Sequence, residues 1–315
     1  MLPPLLAQEP IARVPVRLVI APTSVTDERG KFINGLAASD FALFDNDVPQ
    51  RIHHDSDFLP ISVAAAIQNN HQVGAMLPKI HEFGPLLGSL VVGDGGEAAI
   101  LTFHKYVEVI QDFTSDPGHL TRSLRTVECH YDQSRLIDAT LQAIRMLKNR
   151  PPERRRILLL VSEKRDQGSE SKLRDAVAEA ELNNILIYSL NISRAHAVRQ
   201  VFVPAYGGPR GTAISLDLIQ LIKEIYSGVK NAAIENPLSV LTRYTGGREY
   251  SFFKEHAFED AITRIGEEIH GQYLLSYTPP NVSESGYHKI RVQLSRPELM
   301  VRSRPGYYSM EPASP

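Results

Sequence analysis

Ile61-Ser-Val-Ala-Ala-Ala-Ile67, followed directly by Gln68-Asn-Asn-His-Gln72, is the stretch on which the fold turns. It is apolar without alternation, and so is Ile157-Leu-Leu-Leu-Val161. A strand needs that composition when helices cover both of its faces and neither face meets water. Ala98 to Phe103 and Ile185 to Leu190 read the same way. Helical stripes lie among these strands. One is Leu136, Thr140, Ala143 and Leu147 with Ile137, Leu141 and Ile144. A second is Leu173, Ala176, Val177, Ala180 and Leu182, and a third is Phe258, Ala261, Ile262, Ile265 and Ile269. Strand-helix alternation predicts an α/β domain over 59–271, with a doubly wound, mostly parallel sheet.

Both ends of the chain read as strands instead. Val14, Val16, Leu18 and Ile20 alternate along one predicted strand, and Asp27-Glu-Arg-Gly30 marks a turn. Phe41, Leu43 and Val48 flank a second turn at Asp45-Asn-Asp47. Near the other end come Gln272 to Tyr277, the alternating Ile290, Val292 and Leu294, and Leu299 to Arg304. Neither set has enough strands for a core of its own. Residues 13–58 and 272–308 are therefore expected to form one small, discontinuous, β-sandwich-like domain, with the α/β domain inserted into it. Residues 309–315 are expected to be a disordered tail. Leu2, Leu5, Leu6, Ala7 and Gln8 resemble the end of a secretory signal peptide without its charged start. Residues 1–12 are read as disordered or as such a remnant, and the protein as exported to the periplasm, envelope or medium.

The bulk numbers exclude several classes. Of 315 residues, 43% are hydrophobic and 22% charged, the balance of a globular domain. The formal net charge of -2 gives no general attraction to nucleic acid or anionic membrane. The longest apolar runs are too short for a membrane-spanning helix. Cys129 is the single cysteine, so no intrachain disulfide forms, and it reads as a small buried hydrophobe.

Catalytic patterns are missing as well. There is no Gly-x-Ser-x-Gly, and none of the 11 histidines has a recognisable catalytic spacing. Ser162 ends an apolar strand, where turn chemistry accounts for it. Gly93-Asp-Gly-Gly96 follows a helical stretch and precedes a strand, the reverse of a phosphate-cradling loop, so it reads as a turn. His53 and His54 are adjacent and would face opposite sides of a strand, a poor start for a zinc site. Arg154-Arg-Arg156 reads as a solvated basic run that complements a helix dipole. No enzyme is expected.

The order Val25-Thr-Asp27, Gly30, Gly35-Leu36, Asp40-Phe41, Phe44-Asp45, Pro49-Gln50 and Ile61-Ser-Val63 resembles the acidobacterial von Willebrand factor A-related proteins. So do Thr245-Gly-Gly-Arg248, Gln272 to Tyr277, Lys289-Ile-Arg-Val292 and Arg304-Pro-Gly-Tyr-Tyr308. The resemblance runs from about Val14 to Tyr308 and rests on order and spacing. It implies the A-type fold, with a Mg²⁺ adhesion site built from Asp-x-Ser-x-Ser, a Thr and a further Asp. At those positions this chain has Gln68, Asn70 and Gln72, then Ser134, then Glu163 with Lys164 beside it. Neutral amides forgo the Coulomb attraction that offsets dehydration of Mg²⁺. The site is read as degenerate, with no cofactor and no Mg²⁺. The implied function is non-catalytic protein-protein interaction or adhesion with an unknown protein partner. The alternative is a structural scaffold of a secreted or envelope assembly without a discrete ligand.

One stretch fits no element of that plan. An insertion at about 196–230 contains Val201, Phe202, Tyr206 and Arg210 and a following apolar helical pattern. Long loops on a rigid scaffold carry function, so these four residues are candidates for a partner-binding rim. The plain alternative is a cover over apolar surface.

Overall fold

The computed structural model describes residues 18–55, 59–192, 236–251, 257–279 and 286–309. The apolar start 1–12, the 196–230 insertion with Val201, Phe202, Tyr206 and Arg210, and the end of the tail lie outside the described residues.

The first strands belong to the chain's amino-terminal part: β1 (Val19–Thr26), β2 (Phe41–Asp45), β3 (Val48–Gln50) and β4 (His53–Asp55). The parallel core begins with β5 (Ile61–Gln68), followed by short helices α1 (Leu77–His81) and α2 (Phe83–Leu86). Next come β6 (Glu97–Phe103), β7 (Val107–Thr114), α3 (Pro117–Arg125) and α4 (Leu136–Lys148). The core continues through β8 (Arg155–Ser162), α5 (Leu173–Leu182) and β9 (Ile185–Asn191). It closes with α6 (Pro237–Thr245), β10 (Glu249–Ser251) and α7 (Ala257–Gly271). The chain then returns to β11 (Tyr273–Tyr277), β12 (Gly286–Leu294), β13 (Met300–Ser303) and β14 (Gly306–Ser309).

The central sheet has the order β10-β9-β8-β5-β6-β7. All neighbours in it are parallel except the β6-β7 pair. Every residue of β5 is buried, as an unalternating strand requires. Its side chains nevertheless divide by face with period two. Ile61, Val63, Ala65 and Ile67 join the layer that contains α7, while Ala64 and Ala66 face α4. β8 divides likewise, with Ile157, Leu159 and Val161 on one side and Leu158 and Leu160 on the other. The fold is thus α/β with helices on both faces of a mostly parallel sheet.

Two antiparallel sheets, β13-β1-β11-β4 and β14-β12-β2-β3, are built from both ends of the chain. Val19, Ala21, Val25, Phe41, Leu43, Leu275, Tyr277, Ile290, Val292 and Tyr307 make one core between them. Asp45 is buried in that core. Its carboxylate accepts from Tyr277 Oη and Tyr307 Oη, both at 2.9 Å, and lies 3.0 Å from His288 Nδ1. One early carboxylate thereby gathers three late side chains.

Three local expectations are corrected. On β1 the inward residues are Val19, Ala21 and Val25, while Leu18 is exposed. The strand is in the opposite phase to the one read from Leu18 and Ile20, because its other face also packs, against the α/β domain. Cys129 is half-buried rather than buried. The Arg154-Arg-Arg156 run is not a solvated face. Arg154 donates to Ser62 Oγ and Ile61 O, Arg155 to Ile269 O and Gln272 Oε1, and Arg156 to Asn183 O and Arg150 O. The run sits where the β domain closes on the sheet, so its guanidinium groups serve main-chain carbonyls rather than water.

Thr245-Gly-Gly-Arg248 is a joint between the two parts. Gly246 caps α6 with φ of +88°, a left-handed conformation that favours glycine. A Cβ on Gly247 would stand 2.0 Å from Ile187 O, so only glycine lets the turn lie against β9.

Candidate functional site

The carboxyl ends of β5, β6 and β8 open onto a rim of loops, the place where open α/β sheets present ligands. β5 leads directly into Gln68, Asn69 and Asn70, all buried. Asn70 bridges in parallel to His130 from the loop before α4, and His71 N donates to His130 O at 2.7 Å. The β8 loop closes the third side, with Gln167 N donating to Ser134 O at 2.7 Å.

Inside that frame the amides form a directed chain. Glu163 N–H donates to Gln68 Oε1 at 3.0 Å, and Gln68 Nε2 donates to Asn70 Oδ1 at 2.8 Å. Asn70 Nδ2 donates to Gln72 Oε1 at 3.0 Å and to Asp132 O at 2.9 Å. Gln72 Nε2 reaches Gln167 Oε1 at 3.3 Å. A backbone N–H can only donate and a backbone C=O can only accept. Those two ends therefore fix which way Gln68 and Asn70 face, and the amides between them follow.

The structure brings Gln68, Asn70, Gln72 and Glu163 together. Ser134 is on the same rim but turns aside, its Oγ 3.4 Å from Arg165 O. Burial pushes the Glu163 carboxyl up, against the lowering effect of Arg165, the Gln68 bond and His71. Glu163 Oε1 and Ser162 Oγ are buried without a hydrogen-bond partner among the described residues. Ser162 thus has no base bonded to its hydroxyl.

Sequence reasoning passed over several rim residues. His104 is buried and stacks on His130 at 4.0 Å, with Asp132 Oδ2 3.4 Å from its Nδ1. Burial, with His130 beside it, lowers its affinity for a proton. Tyr131, 88% exposed, stacks with His71, and Tyr106, 58% exposed, meets the edge of His104. His104-Lys-Tyr106 and His130-Tyr131, each a histidine close to a tyrosine, were the available signal; their convergence was not. The β8 loop is also tied to the start of α4. Asp166 and Ser169 accept from Ile137 N, while Asp138 accepts from Glu170 N and Ser171 N. Burial alone would push the Asp138 carboxyl up, but these bonds and Arg135 outweigh it, and the net shift is down.

Residues 70–165 match the family model described as the von Willebrand factor type A domain. The α/β core has a von Willebrand factor A-like fold. Among solved structures, the chain is similar to the conserved hypothetical protein BatB from Bacteroides thetaiotaomicron. Identity is 14% and TM-score 0.43, over 65% of this chain and 96% of that one. An aerotolerance-related membrane protein from Bacteroides fragilis NCTC 9343 gives 13% and 0.43, over 66% and 99%. The SpRpn10 VWA domain gives 12% and 0.42, over 66% and 97%. A search of the curated proteins finds no match.

The A-type fold implies a Mg²⁺ site at this rim, and the residues present do not fit it. The oxygens of Gln68, Asn70 and Gln72 already accept hydrogen bonds, and their NH₂ groups lie among them. A hard cation would need those oxygens freed and the donors removed. Among the described residues, no group of three or more His, Cys, Asp or Glu could hold a metal ion. No helix among them is long and apolar enough to cross a membrane.

Proposed function

We propose that this A-type domain is a non-catalytic protein-binding module that works without a metal ion and meets its partner at the loop rim. The direction of the Gln68-Asn70-Gln72 chain carries this reading. It puts, in place of a metal site, a network in which the three amides satisfy one another, so the rim keeps its shape with no cation. Beside the network stand Tyr131, Tyr106 and His71, amphipathic side chains of the kind that anchor interfaces. The match of residues 70–165 to the A-type family model supports an interaction role over catalysis, as does Ser162 with no base bonded to it.

A photo-crosslinking amino acid in place of Tyr131 tests the reading, with one in place of Glu153 at the opposite end of the sheet as control. In extract from the native host, the Tyr131 position should give a discrete adduct of fixed mass, equally in EDTA and in Mg²⁺. Adducts alike at both positions, or one that EDTA abolishes, would count against it.

A further inference from the structure

The Arg154-Arg-Arg156 run opens onto a cavity far from the loop rim. It lies at the amino ends of β8 and β9, where the inner β sheet closes on the α/β domain, and its volume is about 120 Å³. One water needs only a small part of that space. Ile20, Leu59, Ile185, Leu186 and Leu274 contribute apolar walls. Its charged lining is Arg154, Arg155, Arg156 and Arg304 against a single carboxylate, Glu181.

These arginines are unequally served. Arg154 is paired with Glu97 at 3.2 Å. Arg155 and Arg156 donate to main-chain carbonyls and one amide, and no carboxylate bridges either among the described residues. Arg304 is 4% exposed, and its guanidinium makes no hydrogen bond to any described residue; its ring contact is with Tyr307 at 5.8 Å. The Nε–H groups of Arg155, Arg156 and Arg304 are all buried without an acceptor. Burial also pulls all three below the ordinary arginine range, with Glu181 opposing it at Arg304. A buried guanidinium N–H without an acceptor is costly, and an anion in the cavity would offset that cost.

We propose that this cavity binds a small carboxylate with a short aliphatic body, its head on Arg304 and Arg156 and its body against Ile185, Leu186 and Leu274. Guanidinium groups match a carboxylate by paired hydrogen bonds, and the apolar walls exclude the water that would compete. Bound there, the ligand touches both parts of the chain and ties them together.

Thermal melts of the full chain with butyrate, acetate and inorganic phosphate test this. Butyrate should raise the midpoint saturably, and acetate less. Arg304→Met should weaken the butyrate response about tenfold or more. Amide chemical shifts of the unmodified protein give a second readout that needs no variant. Butyrate should move Ile185, Leu186 and Leu274 and leave the Tyr131 rim unmoved. No saturable effect from any probe would overturn the proposal, as would an unchanged response in Arg304→Met or shifts confined to the rim. A stronger response to phosphate than to butyrate would overturn the assignment to a carboxylate.

Discussion

Arg302 on β13 is hydrogen-bonded to the carboxylate of Glu268 on α7, across the seam between the antiparallel sheets and the α/β core. Glu268 is fully buried and also accepts from Tyr188 Oη at 3.1 Å and Tyr250 Oη at 2.9 Å. Arg302 further donates to Gly246 O and Gly247 O, so a single side chain holds the α6 turn and the α7 carboxylate together. Removing one partner of a buried pair leaves the other charged and unsolvated.

Glu268→Ala should therefore cost about 3–5 kcal/mol of stability. Urea unfolding measures it, and an unchanged midpoint would show that the seam is held by apolar packing alone.

Inside the β domain, Asp45→Ala should remove the shared carboxylate partner of two tyrosine hydroxyls and of His288 Nδ1. The expected loss is several times that of Tyr307→Phe alone, which should cost on the order of 1 kcal/mol. Equal losses for the two variants would mean that Asp45 does not organise the late strands.

Glu163 gives a pH test. Its folded carboxyl holds a proton to higher pH than the unfolded one. Between those two values the native state binds more protons, so stability falls as pH rises through that window. Glu163→Gln should raise the melting midpoint at neutral pH and leave it unchanged in acid below the ordinary carboxylate range. A neutral-pH loss of stability in Glu163→Gln would reverse the sign and refute the account.

Asp138 behaves in the opposite sense. Its folded value is lowered, so its contribution is present above the ordinary aspartate range and is lost as pH falls through the folded value. Asp138→Asn should loosen the 163–172 loop, read as faster amide exchange at Glu170 and Ser171 at neutral pH. Exchange that stays as slow as in the parent would place the restraint elsewhere.

Millimolar Mg²⁺, Mn²⁺ or EDTA should leave the melting curve unmoved, because a ligand shifts it only by binding the native state. The combined change Gln68→Asp, Asn70→Ser, Gln72→Ser, Glu163→Asp and Lys164→Gly should introduce a Mg²⁺-dependent rise. A shift in the parent protein that Glu163→Ala abolishes would overturn the metal-free reading.

The sequence by itself determined which strands have helices on both faces, since Ile61–Ile67 and Ile157–Val161 carry that requirement in composition alone. It also placed amides at Gln68, Asn70 and Gln72, where the resemblance to the A-type family implies carboxylates and hydroxyls. Those are local properties of spacing and residue type. Tertiary structure decided the rest. Which way Gln68 and Asn70 face is fixed by backbone groups 95 and 62 residues away, at Glu163 and Asp132. The phase of β1 was set by packing against a second domain, and the fate of Arg154-Arg-Arg156 by the closure of that domain over the sheet. A charge run reads as solvated until something covers it, and covering is a property of distant chain that no local pattern records.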